Sequence, residues 1–256
     1  MLATTVSVAV ALMIALPVAL AWVMVRRLGT PASLLLAGAL TFLAAQALRI
    51  PLLQTLILPA GEQSGFNPLY AAAFNVAVLA LTAGLFEECT RYFTYRHVIP
   101  TARTWNDAVT FGAGHGGMEA IVLGTLMGAE LAGVLALGTP ASTPSPGQTP
   151  EAHARLAEEA ARYWATPAYV PLLGALERVF AICLHMAMAA VVLVAVIRKS
   201  LSWLAAAIAA HAAANAAGIA TLAAYGPVAA EIVVGLVAAV ALYVLFRLRD
   251  LERSGA

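Results

Sequence analysis

The sequence predicts an all-α, polytopic membrane protein: a bundle of about seven transmembrane helices forming one integral membrane domain over residues 1–256. Three observations predict it. The chain is 62% apolar and 11% charged, with a mean hydropathy of +0.88, where a soluble domain is about half apolar and a quarter charged. About seven segments reach the roughly 20 mostly apolar residues that a spanning helix needs. The basic residues gather at alternate connections, as helices threading a bilayer require. The same composition excludes a soluble globular domain, a disordered chain and a nucleic-acid binder. The first partner it implies is the lipid bilayer. Cys89 and Cys183 sit inside apolar runs, so they offer neither a disulfide framework nor a CxxC metal motif.

The first span runs from about Ala3 to Val25. It is read as a retained helix, because Arg26 and Arg27 follow the apolar stretch where a signal peptide would have them in front. The second runs from Pro31 to about Leu52. The run Leu52–Leu58 is too short to span and is expected at the outer interface, with Arg49 snorkelling there. The third covers about Tyr70 to Tyr92 and the fourth about Ala108 to Leu137. Residues 139–167 form the one sizeable connection, an extracytoplasmic loop. Its first part, TPASTPSPGQTP, should be irregular, and EAHARLAEEAARYW should form a short polar helix outside the membrane. The fifth span covers about Tyr169 to Ile197, the sixth Leu201 to Ala224 and the seventh Pro227 to Phe246.

With the N-terminus outside, every inner connection is basic: Arg26 and Arg27, then Arg96 and Arg103, then Arg198 and Lys199. The inner C-terminal tail adds Arg247, Arg249 and Arg253, and the long outer loop holds Arg155 and Arg162 among Glu151, Glu158 and Glu159. This predicts a multi-pass cell-membrane protein with its N-terminus outside and its C-terminus in the cytoplasm.

Ionisable residues within apolar helices are costly, so they mark the chemistry. The third span ends in LFEECTRYF, where Arg91 lies four and three residues after Glu87 and Glu88 and shares a helical face with each. The fourth opens with FGAGHGGMEA, with His115 and Glu119 four apart on one face. Gly112, Gly114, Gly116 and Gly117 either pack helices closely or leave room for a water or a peptide. The fifth carries Glu177, Arg178 and His185, and the sixth His211 and Asn215 on one face. A shared polar cavity in the inner half of the bilayer is the economical account. At 1.5 Å per residue, His115 lies about 10 Å from the inner end of its span and His211 about 15 Å. His185 comes out deeper, at roughly 20 Å. Glu130 and Glu231 fall nearer the outer side, away from this cluster, and water should reach the cavity from the cytoplasm.

EECTR (87–91), FGAGH (111–115) and HAAAN (211–215) resemble the three motifs of the CAAX-protease and bacteriocin-processing superfamily of intramembrane proteases. The HGGMEA continuation and ER-x(6)-H in the fifth span are more similar to the YhfC branch, related to the PrsW proteases. Arg91 follows the second glutamate by three residues, where the superfamily pattern often has four. The resemblance implies hydrolysis of peptide bonds in membrane-associated proteins or peptides. Glu87 would activate a water that His115 helps to hold, His211 and Asn215 would stabilise the oxyanion, and Glu88 and Arg91 would position the site. Glu119 completes the implied catalytic set. The YhfC branch is described as metalloproteases, so His115, His185 and His211, with Glu87 or Glu119, would hold one zinc ion if a metal is present. A glutamate–water mechanism needs none, and the absence of HExxH weighs against the metal. The alternative class is a proton-coupled transporter using buried Glu and His, which usually shows a repeated architecture.

The topology has a direct check. Cysteines introduced in the 139–167 loop should react with an impermeant label from outside intact cells, and cysteines beside Arg103 should not. The opposite pattern reverses the orientation.

Overall fold

The computed structural model describes residues 1–57, 68–136 and 149–254, and among these it contains helices and no strand. The helices are α1 (Leu2–Leu28), α2 (Ala32–Leu52), α3 (Pro68–Phe93), α4 (Trp105–Ala136), α5 (Pro150–Trp164), α6 (Val170–Ile197), α7 (Leu201–Tyr225) and α8 (Pro227–Ser254). Wider π-helical turns prolong α2 over Leu53–Ile57 and α3 over Thr94–Val98. Seven of the helices are long and apolar enough to cross a bilayer, which is the predicted membrane bundle. The exception is α5, whose N-terminus is capped by Thr149 Oγ1 accepting from Ala152 N at 3.2 Å.

Local chemistry sets the other boundaries. Gly29 ends α1 in the left-handed region at φ 66°, which costs glycine nothing. Asp107 Oδ2 accepts from the backbone N–H groups of Arg103 and Thr104 at 3.0 and 2.9 Å, and Thr104 Oγ1 accepts from Asp107 N. This reciprocal cap starts α4 at Trp105, about a turn before the apolar run suggests.

The centre of the bundle is α6. Of its most apolar stretch 61% is buried, against 11–28% in the other spans, because α1, α3, α4, α7 and α8 all pack on it. The polar helix α5 ends in Tyr163 and Trp164, which pack against Leu2, Val6 and Leu131. It therefore sits at the bundle end that carries the start of α1 and the finish of α4. The irregular stretch predicted for residues 139–150 lies mostly outside the described residues, as does the end of the 52–58 run.

The packing decides between two open alternatives and changes one expectation. The glycines around His115 open no room for water; they let backbones touch. A Cβ on Gly38 of α2 would stand 2.0 Å from Phe111 O and 2.8 Å from His115 N, and one on Gly114 would stand 2.2 Å from Leu35 O. On the opposite face, a Cβ on Gly112 would meet Met186 Cα at 2.5 Å and one on Gly116 would meet His185 Cδ2 at 2.9 Å. Close helix approach of this kind is the packing use of small residues in membranes. Nor does Arg49 reach for the interface. Its Nη2 donates to Leu79 O at 2.9 Å and its Nε to Thr82 Oγ1 at 3.1 Å, because α3 offers hydrogen-bond acceptors closer than the headgroups do.

Gly38→Ala should therefore force α2 away from α4 and cost about 1–3 kcal/mol, the scale of overpacking. Gly133→Ala, whose new methyl meets nothing within 4 Å, should leave stability unchanged or raise it slightly. Thermal unfolding in detergent compares the two; equal midpoints would show that the α2–α4 contact does not limit stability.

Candidate active site

Three helices each bring one histidine to a single carboxylate oxygen. Oε2 of Glu87 on α3 lies 3.1 Å from His115 Nε2 on α4, 3.9 Å from His185 Nδ1 on α6 and 3.9 Å from His211 Nε2 on α7. The His115 and His185 ring centroids are 4.9 Å apart, and those of His185 and His211 5.4 Å. All four side chains are buried. Measured from the observed helix ends, the four residues lie at one level, about 15–18 Å from the end with the basic connections. The early start of α4 puts His115 about 15 Å in, against about 18 Å for His185, and so narrows the depth mismatch expected for His185.

Behind this group stand its supports. Glu88 is fully buried; it takes both carboxylate hydrogen bonds from Arg91 Nη1, at 2.8 and 2.9 Å, and its Oε1 meets His211 Nδ1 at 2.6 Å. Glu119 Oε2 meets His185 Nε2 at 2.6 Å, while its Oε1 accepts from Arg178 Nη1 at 2.7 Å. Arg178 also pairs with its neighbour Glu177. A carboxylate already paired with an arginine can only accept. Hence His211 donates through Nδ1 and His185 through Nε2, and His211 Nε2 and the lone pair of His185 Nδ1 are turned towards Glu87. Arg91 Nη2 donates to that lone pair of His185 at 2.9 Å. Behind His115 there is no carboxylate: its Nδ1 is buried without a hydrogen-bond partner, and Phe42 stands edge-on to its ring at 5.5 Å.

Glu87, Glu88, Arg91, His115, Glu119, His185 and His211 thus come together as one cluster. Asn215 does not touch the cluster's hydrogen bonds; it lies one turn beyond His211 on the wall of the adjoining cavity. Gln46 of α2 is the residue that sequence reasoning passed over. Its Nε2 donates to Glu87 Oε1 at 3.0 Å, and its own Oε1 accepts from Arg49. An amide three residues before an arginine in an apolar helix was the available signal.

The cavity encloses about 400 Å³ and runs from Glu87, His185 and His211 past Asn215 and Arg178 to Val170, Leu222 and Pro227. These last residues belong to the bundle end opposite the basic connections. Towards the basic end the site is closed by Tyr95, Phe111, Val192 and Leu245, all buried in one apolar cluster. The expectation that water enters from the side of the basic loops is therefore corrected. Depth along each helix was legible, but side-chain packing decides which way the space opens.

The residues fit a divalent ion. Glu87, His115 and His185 present ligand atoms within 4.8 Å of one another, with His211 beside them. Imidazole and carboxylate are ordinary zinc donors. Metal-binding histidines almost always give their second nitrogen to a carboxylate or carbonyl, and His185 and His211 do so already. Arg91 holds the His185 lone pair that an ion would take, so that one contact must be exchanged on binding.

Comparisons with known proteins give the family. The family model of the YhfC intramembrane metalloprotease matches residues 12–238. The chain is 32% identical over 240 residues to the uncharacterized membrane protein YhfC of Bacillus subtilis (strain 168), covering 89% of each chain. No solved structure matches significantly. On both matches, the chain belongs to the YhfC intramembrane metalloprotease family.

Proposed function

We propose that the chain is an intramembrane peptidase that hydrolyses peptide bonds of membrane-associated proteins or peptides. His115, His185 and His211 would hold one divalent ion, zinc by the chemistry of the donors. The observation that carries this reading is the convergence of three imidazoles, two of them backed by carboxylates, on Oε2 of Glu87. An ion held there supplies Lewis acidity for a water and for the peptide carbonyl.

The chain's own residues do the rest. Gln46 holds Oε1 of Glu87, which leaves Oε2 to take a proton from the attacking water and return it to the leaving amine. Asn215 on the cavity wall donates to the carbonyl oxygen as it gains charge. His211 was expected at the oxyanion; as a ligand it is committed elsewhere. Glu88 and Glu119 act through His211 and His185 by fixing tautomer and orientation, and Arg91 and Arg178 neutralise those two carboxylates. With the basic connections in the cytoplasm, the cavity admits water and substrate from the outer side of the membrane.

The sequence holds no HExxH, the local signal that weighs for a metal. That motif gathers two ligands on one helix, whereas here α4, α6 and α7 contribute one histidine each, so no local spacing announces the set. The transporter alternative is not favoured: the family is one of metalloproteases, and the acids beside the histidines sit in fixed pairs. The wider kinship with PrsW and the CAAX-protease superfamily rests on the motifs alone.

Purified protein should carry about one equivalent of zinc, and His185→Ala should lose both ion and activity. Glu87→Gln should keep fold and ion while cleavage of a model membrane peptide falls at least about a hundredfold. Loss of the ion in Glu87→Gln would make Glu87 a ligand and not the base. Full activity in metal-free protein would overturn the metal reading. Glu88→Gln should weaken metal affinity about 10–100-fold and lower the unfolding midpoint, since Arg91 loses a buried partner.

A further inference from the structure

Four carboxylates line the cavity: Glu87, Glu119, Glu177 and Glu231. Glu87 faces the histidines, and Glu119 and Glu177 share Arg178. Glu231 has Arg178 and Glu177 as charged neighbours but makes no ion pair with Arg178. It lies in the second turn of α8, is 9% exposed, and its Oε2 is buried with no hydrogen-bond partner. The wall around it is built from Leu222, Ala230, Val234 and Val237. Among the described residues, Arg178 is the arginine on the cavity wall, and it is already engaged by two carboxylates. A lone acid in an apolar helix is costly to keep, and the chemistry at Glu87 makes no use of it. What it lacks is a cation in direct contact, and the space in front of it is the same space that leads to the histidines.

We propose that Glu231 is a specificity residue that receives the lysine or arginine side chain of a polypeptide entering this cavity, a proposal that rests on the peptidase reading. The position of that side chain follows from the fold. Glu231 is four residues from the start of α8 and His211 fourteen from the end of α7, which places them about 15 Å apart along the bundle axis. An extended chain advances about 3.3–3.6 Å per residue. The basic residue therefore sits about four to five residues from the scissile bond.

The test uses the native chain in lipid nanodiscs and peptides carrying lysine, norleucine or glutamate at successive positions on either side of the cleaved bond. Lysine at the matching position should lower KM at least about tenfold relative to norleucine, with kcat little changed, and glutamate there should raise KM. Glu231→Gln should erase the lysine preference and still cleave the norleucine peptide. Acetylating the peptide N-terminus should change nothing; if acetylation instead removes the preference, the cation is the terminal ammonium and the side-chain assignment falls. Affinities measured on Glu87→Gln separate the two failures. A lysine preference in binding without cleavage of any peptide by the native chain keeps the subsite and sinks the peptidase. Equal affinities for lysine and norleucine, or no binding of either, overturn the subsite. The native-chain comparison needs no variant, so it stands even if Glu231→Gln does not fold.

Discussion

Hydrocarbon does not tolerate an uncompensated charge, and the bundle is organised around meeting that demand. Glu88, Arg91 and His115 are completely buried, with Glu87, His185 and His211 nearly so. None would remain there without partners from other helices. The compensation runs from Arg49 and Gln46 on α2 through Glu87 and Arg91 on α3 to His185 on α6, then to Glu119 on α4 and back to Arg178 on α6. The arrangement that would hold a reactive group is thus also what ties the helices together. The low surrounding dielectric strengthens each of these contacts and makes each omission expensive.

Such short polar contacts need helices that nearly touch. Gly38 and Gly114 bring α2 against α4, and Gly112 and Gly116 bring α4 against α6. Glycine lowers intrinsic helix stability. In a bilayer, however, the backbone has no water to bond with and the helix persists, so the gain in proximity outweighs the loss. His115 sits between these crossings, which is why its ring is delivered to Glu87 with so little freedom.

The two ends of the bundle differ in consequence. The basic end is filled by one apolar cluster in which Tyr95, Phe111, Met186 and Val192 interlock. The other end diverges into a cavity whose wall mixes Asn215, Arg178, Glu177 and Glu231 with apolar side chains. A site that is closed by apolar packing on one side and opens into a partly polar cavity on the other has a direction.

Much of this was readable before any coordinates. Apolar runs of spanning length, alternate basic connections and the residues Glu87, Glu88, Arg91, His115, Glu119, His185 and His211 follow from local composition and spacing, because the bilayer penalises every polar exception along a helix independently of its neighbours. Gln46 was missed because an amide carries no charge to draw notice. The direction of the cavity, the partner of Arg49, the sharing of Glu119 by His185 and Arg178, and the unbonded Oε2 of Glu231 were not in the sequence at all. Each depends on which helices cross and at what height, and crossing is decided by close contacts between residues far apart in the chain, 123 positions in the His211–Glu88 pair and 140 in the Trp105–Leu245 hydrogen bond. Sequence by itself determined which residues had to find partners. Only the tertiary structure decided which partners they found, because compensation of a buried charge is a property of the space around it and not of the chain that carries it.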